Sequence, residues 1–519
     1  MNTALSTSGW TMDSPTRRNP SLSRRPLPHA VAGLFNVASI LLFTLPGGAQ
    51  IVTDPAEARS PVTLLAVSDP EGGRGAFAFR GKAQAPVIRA TPGESIRVTY
   101  KNAMAPANGE KCATGPCMNM TNLHFHGLHV SPSAPEDDVI SMIAMPGESL
   151  EYTVNIPRNQ PPGLYWYHTH PHGESYRQAL DGMSGAIVIE GIGHYAPEIL
   201  NMRERILVLR DRAFEKNDSE AKHLKQVVQM PPGQCGASTG SPERVFTVNG
   251  TVRPKIPIGA GERQFWRIVN ASPDLYADLQ IDRAQLEIVA LDGMPLAYHD
   301  PNRRKRLASH MLVPPAGRIE VIVTGPPAGA KAKLRTLCFD TGPDGDPNPA
   351  MVLADLVQGV KPRAKRPSRP DTQQPIFDVL SQKQLAELEA SAPEYTLIFT
   401  EDKDGFYING KKYSPDSEPM TRVRIGDYHH WRVVNKTREA HPFHIHQVHF
   451  LVVASNEKRQ SEPEWLDTVN VPVEGSVDLI MDFSDPIIRG MSVFHCHLLN
   501  HEDKGMMAKI LFETAGAEP

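Results

Sequence analysis

Gly426-Asp427-Tyr428-His429-His430-Trp431-Arg432-Val433-Val434-Asn435 occurs in the chain in three versions. Gly93-Glu94-Ser95-Ile96-Arg97-Val98-Thr99-Tyr100-Lys101-Asn102 and Gly261-Glu262-Arg263-Gln264-Phe265-Trp266-Arg267-Ile268-Val269-Asn270 keep the glycine nine residues before the asparagine. Each copy reads as a turn feeding a β-strand. Copies two and three follow matching pairs, Asn249-Gly250 and Asn409-Gly410, the dipeptide suited to a tight hairpin. Three copies imply three similar domains, which the length of 519 residues accommodates at about 150 residues per domain. The 47 prolines and 39 glycines, with short β-rich runs at 265–269, 319–323 and 450–453, make the domains β-sandwiches. One helix is expected after Ser381, where Ser381 and Gln384 form a capping box before Leu385-Ala386-Glu387-Leu388.

Histidines gather in the sequence beyond the first and third copies. His124-Phe125-His126-Gly127 and Tyr167-His168-Thr169-His170 follow the first, and His441-Pro442-Phe443-His444-Ile445-His446 follows the third. Near the C-terminus comes Val493-Phe494-His495-Cys496-His497-Leu498-Leu499-Asn500-His501, then Met506. These clusters hold half of the chain's 20 histidines, together with a cysteine and a methionine, which are ligand types that copper prefers. Read as a strand, His495 and His497 share one face and Cys496 takes the other. One tripeptide can therefore touch two metal sites. The second domain has Ala271-Ser272-Pro273-Asp274-Leu275 and Leu337-Cys338-Phe339 instead. It reads as a spacer without copper ligands.

The motifs H-x-H-G, H-x-H, H-x-x-H-x-H and H-C-H-x-x-x-H-x-x-x-x-M, in that order, resemble those of the multicopper oxidases: laccases, ascorbate oxidase, bilirubin oxidase and bacterial metallo-oxidases. The resemblance implies an all-β chain of three consecutive cupredoxin-like Greek-key sandwiches carrying four copper ions. It places a type 1 copper on His441, Cys496 and His501, with Met506 as axial ligand. The type 2 copper would take His124 and His444, and the type 3 pair would divide into His126, His168, His497 and His170, His446, His495. The three-copper cluster would then form where domains one and three meet.

The implied reaction oxidises phenols or aromatic amines one electron at a time, at an exposed edge of His501, and reduces dioxygen to water. It consumes protons, for which Glu502 and either Asp137 or Asp138 resemble the family's acids. His129, His172 and His449 match no ligand position and read as supporting or solvated groups, while His429 and His430 pack or face water. The alternative is a metallo-oxidase for Cu(I), Fe(II) or Mn(II). Segment 361–413 contains no methionine, the soft ligand that would favour Cu(I), and Met118, Met120, Met142 and Met145 read as core or loop residues. A scaffold relative stripped of its ligands, or a copper-storage module, fits less well, because every ligand position is kept and the cysteine bridge implies electron transfer.

Residues 1–49 have the layout of an export signal: Arg17, Arg18, Arg24 and Arg25 precede an apolar run at 30–45 that ends in Gly47, Gly48 and Ala49. The run is short for a membrane span, and Ser23-Arg24-Arg25-Pro26-Leu27 resembles a twin-arginine signal. A periplasmic or secreted monomer is expected. Domain limits are set at 51–192, 193–360 and 374–516, with a proline-rich, basic linker at 361–373. The net charge of −4 without a basic stripe argues against nucleic acid as a partner. Besides Cys496 there are four cysteines, an even number suited to an exported chain. Cys112 and Cys117 could close a short loop, and Cys235 with Cys338 resembles a bridge of some bacterial laccases.

Overall fold

The computed structural model describes residues 50–68, 74–106, 119–213, 244–359 and 380–514. The expected signal, the linker, Cys112, Cys117, Cys235 and Met118 lie outside them. Among the described residues the strands form six sheets, which pack as three consecutive sandwiches. In each sandwich the repeated segment is an inner strand: Ser95–Ala103, Arg263–Asn270 and Tyr428–Asn435. Each runs parallel to an earlier strand, Val62–Ser68, Arg203–Ala213 or Tyr395–Asp402. Each is also antiparallel to a later one, Ser149–Asn155, Arg318–Thr324 or Ser476–Asp482. The sequence repeat is therefore a repeat of topology.

The two fixed residues of the repeat have physical reasons. The glycines enter the strand at φ of +90°, +64° and +122°, a region costly for any residue with a Cβ. The asparagines are buried at the strand's far end. Asn102 donates its amide to Asn119 O and Ala144 O, Asn270 to Leu275 O and Val313 O, and Asn435 to Glu439 O and Pro472 O. The other end of each amide accepts the backbone N–H two residues on, from Met104, Ser272 or Thr437. One side chain thus closes the strand and ties down two loops.

Between the sheets lie three apolar cores, centred on Tyr100 and Tyr167, on Trp266 and Ile268, and on Trp431 and Phe494. A smaller cluster joins the first two sandwiches, packing Val87, Leu164 and Trp166 against Ile206, Val208 and Val269. The expected helix is present as Gln382–Ala390, with the Ser381 and Gln384 capping box formed. Two short helices were not signalled by periodicity, Ser175–Leu180 and Leu499–Asp503. They dock through Asp503, which accepts backbone N–H groups from Gly173, Ser175 and Tyr176 at 2.7, 3.3 and 2.9 Å. These are amides at the start of a helix, which has no partners of its own for them. Cys338 is disulfide-bonded. No helix among the described residues is long and apolar enough to cross a membrane.

Asn270 lies in the sandwich without histidine clusters, so its structural role can be measured apart from chemistry. Asn270→Ala leaves two buried carbonyls and one N–H unpaired and is expected to destabilise that sandwich by about 2–3 kcal/mol. A calorimetric unfolding midpoint equal to that of the parent chain would contradict this.

Candidate metal centre

Strand pairing brings the histidine motifs together. The strand His124–His126 pairs with Leu164–His168, setting His124 opposite His168, and His441–Ile445 pairs with Gly490–Cys496, setting His444 opposite His495. The two pairs, from the first and third sandwiches, meet face to face. His126 stacks on His444 with ring centroids 3.8 Å apart, and His124 stacks on His446 at 3.7 Å. The Nε2 atom of His495 lies 3.2 Å from that of His170 and 3.2 Å from that of His446. His497 completes the group, its ring 5.2 Å from that of His126 and 5.5 Å from that of His168. All eight imidazoles are buried.

Five of the eight rings are anchored through one nitrogen. His168, His444 and His495 donate from Nδ1 to the carbonyls of Thr169, Asp467 and Cys496, at 3.0, 2.7 and 2.9 Å. His124 Nδ1 lies 3.0 Å from Asp137, and His126 Nε2 lies 3.2 Å from Asp467. Their opposite nitrogens are buried without a partner among the described residues, Nε2 of His124, His168 and His444 and Nδ1 of His126, as are His446 Nδ1 and both nitrogens of His497. Fixing one ring nitrogen as a donor leaves the other as a bare lone pair, which is how proteins prepare a metal-ligating histidine. Burial, then the neighbouring imidazoles, holds His170, His495 and His497 well below the usual histidine pKa. Neutral imidazole is the ligating form. The donor set fits copper ions.

A second set lies on the other face of the same strand. Cys496 Sγ is 3.4 Å from His441 Nδ1, and His441 Nδ1 is 3.3 Å from His501 Nδ1. Leu498 N–H donates to the sulfur at 3.4 Å. Met506 is fully buried in the same core. It is held by backbone bonds, Cys496 N–H to Met506 O at 3.0 Å and Met506 N–H to His501 O at 2.9 Å. The His441 Nε2 lies 2.7 Å from Thr437 Oγ1, while His501 Nε2 lies 3.0 Å from Glu439 and its ring stacks on Phe406 at 3.8 Å. Burial pushes the Cys496 thiol well above its ordinary pKa, so its thiolate form requires a cation beside it. Cysteine, two histidines and a nearby methionine fit a blue-copper site.

Of the expected acids, Asp137 and Glu502 reach the eight-histidine set. Asp137 accepts Phe125 N–H at 2.8 Å and the Gln447 amide at 2.7 Å, and burial pushes its pKa well up. Glu502 lies 3.7 Å from His170 Nδ1 and accepts from Ser175 Oγ at 3.2 Å. Burial, then the Asp503 charge, raises its pKa. Asp138 does not join them: its carboxylate accepts the N–H groups of Ile140 and Ser141 at 3.1 and 2.9 Å, closing a turn. His129 and His449 form a pair at 2.6 Å, with His449 donating to Asp292 O. His172 packs on Tyr413. His430 is buried against Asp478, and His429 pairs with Glu394.

The spacer reading of the second domain needs correction. Its Arg318 and Asp292 reach the histidine centre through Asp467: Arg318 Nη1 donates to Asp467 Oδ1 at 2.7 Å, and Asp292 accepts Asp467 N–H at 3.2 Å. Asp467, Arg318, Asp292, Glu439 and Thr437 carry no motif, so sequence reading passed over them. Their only signal was a charged or polar residue within an apolar strand or beside a ligand.

Such ligand sets in three β-sandwiches define a copper oxidase of cupredoxin architecture. Multicopper oxidase models match residues 66–193 and 381–515, together just over half of the chain. The chain belongs to the multicopper oxidase family, as a laccase-like copper oxidoreductase. It is 22% identical over 443 residues to a multicopper oxidase of Staphylococcus haemolyticus, covering 83% of each chain. It is 25% identical over 484 residues to a laccase of Bacillus stratosphericus, covering 83% of this chain and 89% of the laccase. A solved Campylobacter jejuni multicopper oxidase, described as a metallo-oxidase, superposes with a TM-score of 0.63 at 22% identity, over 90% of this chain and 98% of that one.

Burial gives the metal-free protein a defined pH response. It holds the His129 and His444 pKa near about 4 and that of His449 near about 3, against about 6.5 in the unfolded chain. A depressed histidine pKa means that the unfolded state binds the proton first. Stability is therefore lost as pH falls below about 6.5 and levels off near pH 3–4. Asp137, Asp292 and Glu502, whose pKa values are raised by burial, act in the opposite sense, so the histidine contribution is read against a variant. Between pH 7 and pH 4 the unfolding midpoint of the copper-free chain should fall further than that of a His129→Gln, His449→Gln variant. Equal falls in the two chains would contradict the neutral His129 and His449 pair.

Proposed function

We propose that the enzyme couples one-electron oxidation of phenols or aromatic amines to the four-electron reduction of dioxygen to water. The observation that carries this reading is the tripeptide His495-Cys496-His497, whose cysteine lies with His441 and His501 while its histidines lie among the other six. Two ligand sets share three consecutive residues, a through-bond connection that storage or structural copper would not need.

In this reading His441, Cys496, His501 and axial Met506 hold a type 1 copper, and His124 and His444 hold the type 2 ion. His126, His168, His497 and His170, His446, His495 hold the type 3 pair. The four ions, when bound, supply the one-electron storage that matches single-electron donors to a four-electron acceptor. His501 is the outermost ligand, 8% exposed, and offers the ring edge through which a docked phenol can lose its electron. Glu439, beside His501, can accept the proton that a phenol loses with that electron. At the inner centre, Glu502 and Asp137 are buried acids whose raised pKa keeps protons available where oxygen is reduced. Neither group is reached by bulk water directly. We assign domains to 51–192, 193–360 and 374–516, and an exported location on the basis of the signal-like 1–49 segment and the disulfide at Cys338.

A second reading has its own observation. Glu439 lies 3.0 Å from His501 Nε2, a carboxylate beside the outermost ligand that would also draw a cationic metal reductant. Steady-state oxidation of a phenol, an aromatic amine, Cu(I), Fe(II) and Mn(II) by the copper-loaded enzyme separates the two. The phenol or amine is expected to give the highest kcat/KM. A metal ion exceeding every organic reductant would replace the first reading by the metallo-oxidase one.

Glu502→Leu removes the buried acid while keeping the side chain apolar and similar in size. Reoxidation of the reduced enzyme by dioxygen should slow by about a hundredfold, while bleaching of the blue colour by substrate without oxygen stays near the parent rate. Equal slowing of both half-reactions would count against a proton role.

A further inference from the structure

We infer that Arg318, in the middle sandwich, is a positioning residue that sets which ring nitrogen His126 turns toward the eight-histidine centre. The inference rests on the copper reading of that centre given above.

His126 is oriented unlike the other histidines that the protein anchors there. His168, His444 and His495 bind backbone carbonyls through Nδ1, and His124 meets Asp137 through Nδ1. His126 is reversed: its Nε2 meets Asp467 Oδ1 at 3.2 Å, and its Nδ1 is buried without a protein partner. Rotating the ring by half a turn would point a carbon at the centre and forfeit a ligand. At Nε2 the shorter contact is Asp467 Oδ1, with Thr468 Oγ1 further off at 3.5 Å, so the place of the Asp467 carboxylate is the main restraint on that rotation and on the ligand atom.

Asp467 is held from the second sandwich at both its side chain and its backbone. The Arg318 guanidinium forms a two-pronged pair with it, Nη1 to Oδ1 at 2.7 Å and Nη2 to Oδ2. The Asp292 carboxylate accepts the N–H groups of Asp467 and Thr468 at 3.2 and 3.3 Å. Arg318 is itself immobilised. Its backbone N–H donates to Asp292 Oδ1 at 2.7 Å, Nη2 to Asp292 O at 2.8 Å and Nη1 to Ala316 O at 3.2 Å. Arg318 and Asp467 are both fully buried. A planar fork fixes a carboxylate in angle as well as in distance, which a lysine ammonium cannot do.

Gly127 provides an independent sign of the same construction. A Cβ there would lie 2.5 Å from Arg318 Nη2 and 2.5 Å from Asp467 Oδ2. The glycine next to His126 leaves the space that the fork occupies. The backbone of the first copper motif is thus shaped around a pair formed by the other two sandwiches.

The test uses the copper-loaded holoenzyme, its Arg318→Lys variant, which keeps the charge and loses the fork, and its Asp292→Asn variant. Copper content, electron paramagnetic resonance and the absorption of the coupled pair are measured beside oxygen-reduction rates. Arg318→Lys should keep the blue type 1 signal. It should show altered type 2 and type 3 signatures, a roughly tenfold or greater loss of copper affinity at the inner centre, and a similar loss in oxygen reduction. Asp292→Asn should shift the same signatures in the same direction. Unchanged copper content and inner-centre spectra in Arg318→Lys would overturn the inference. So would loss of the type 1 signal together with the others in both variants, because the pair would then be a staple of the fold and not a positioning device. A parent enzyme without type 2 and type 3 signatures would instead defeat the copper reading itself.

Discussion

Eight neutral imidazoles packed into a water-excluding junction present lone pairs to one another with nothing among the described residues to satisfy them. His495 faces His170 and His446 nitrogen to nitrogen at 3.2 Å, a contact that requires a proton or a cation between. Burial disfavours the proton, so the junction is arranged for metal. The rest follows from keeping those rings in place: hydrogen bonds anchor five of them by one nitrogen, apolar cores stiffen the strands that carry them, and two sandwiches are pressed together at that point. Alternation along one strand then delivers Cys496 to a second ligand set on the opposite face, in contact with the first through the backbone.

The middle sandwich is part of this arrangement although none of its described residues joins either ligand set. A three-domain chain could join its outer domains by an inert connector. Here Arg318 and Asp292 instead reach the inner centre through Asp467, while Leu164 and Trp166 of the first sandwich pack against Ile206, Val208 and Val269. Trp166 also stacks on His168 at 4.2 Å. Orientation of ligand rings and packing between domains are thus the same set of contacts, and the precision of the site depends on the interface.

What could be read from sequence was local. The repeated glycine and asparagine gave away three similar units because each acts within its own strand and the loops beside it. The histidine and cysteine clusters were legible because their chemistry is unusual and their spacing matches strand geometry. Asp467, Arg318 and Glu439 were not, since an ordinary carboxylate or guanidinium acquires its role only from partners far away in the chain: Arg318 and Asp467 are 149 residues apart. Asp137 and Asp138 were indistinguishable for the opposite reason. They are adjacent, and only the path of the loop turns one toward His124 and the other toward Ser141. The strand reading of the last motif was right as far as Cys496, after which the backbone turns into the helix Leu499–Asp503 and presents His501 and Glu502 to different centres.

Two linked ligand sets that pass single electrons inward should carry the reduction of oxygen to completion. The most direct measurement is the ratio of one-electron reductant consumed to dioxygen consumed, with the oxygen product assayed in the same vessel. Four equivalents per dioxygen, with water as product and no hydrogen peroxide released, is the predicted result. Two equivalents with stoichiometric peroxide would contradict the account, because the inner eight-histidine centre would then not be completing the reaction.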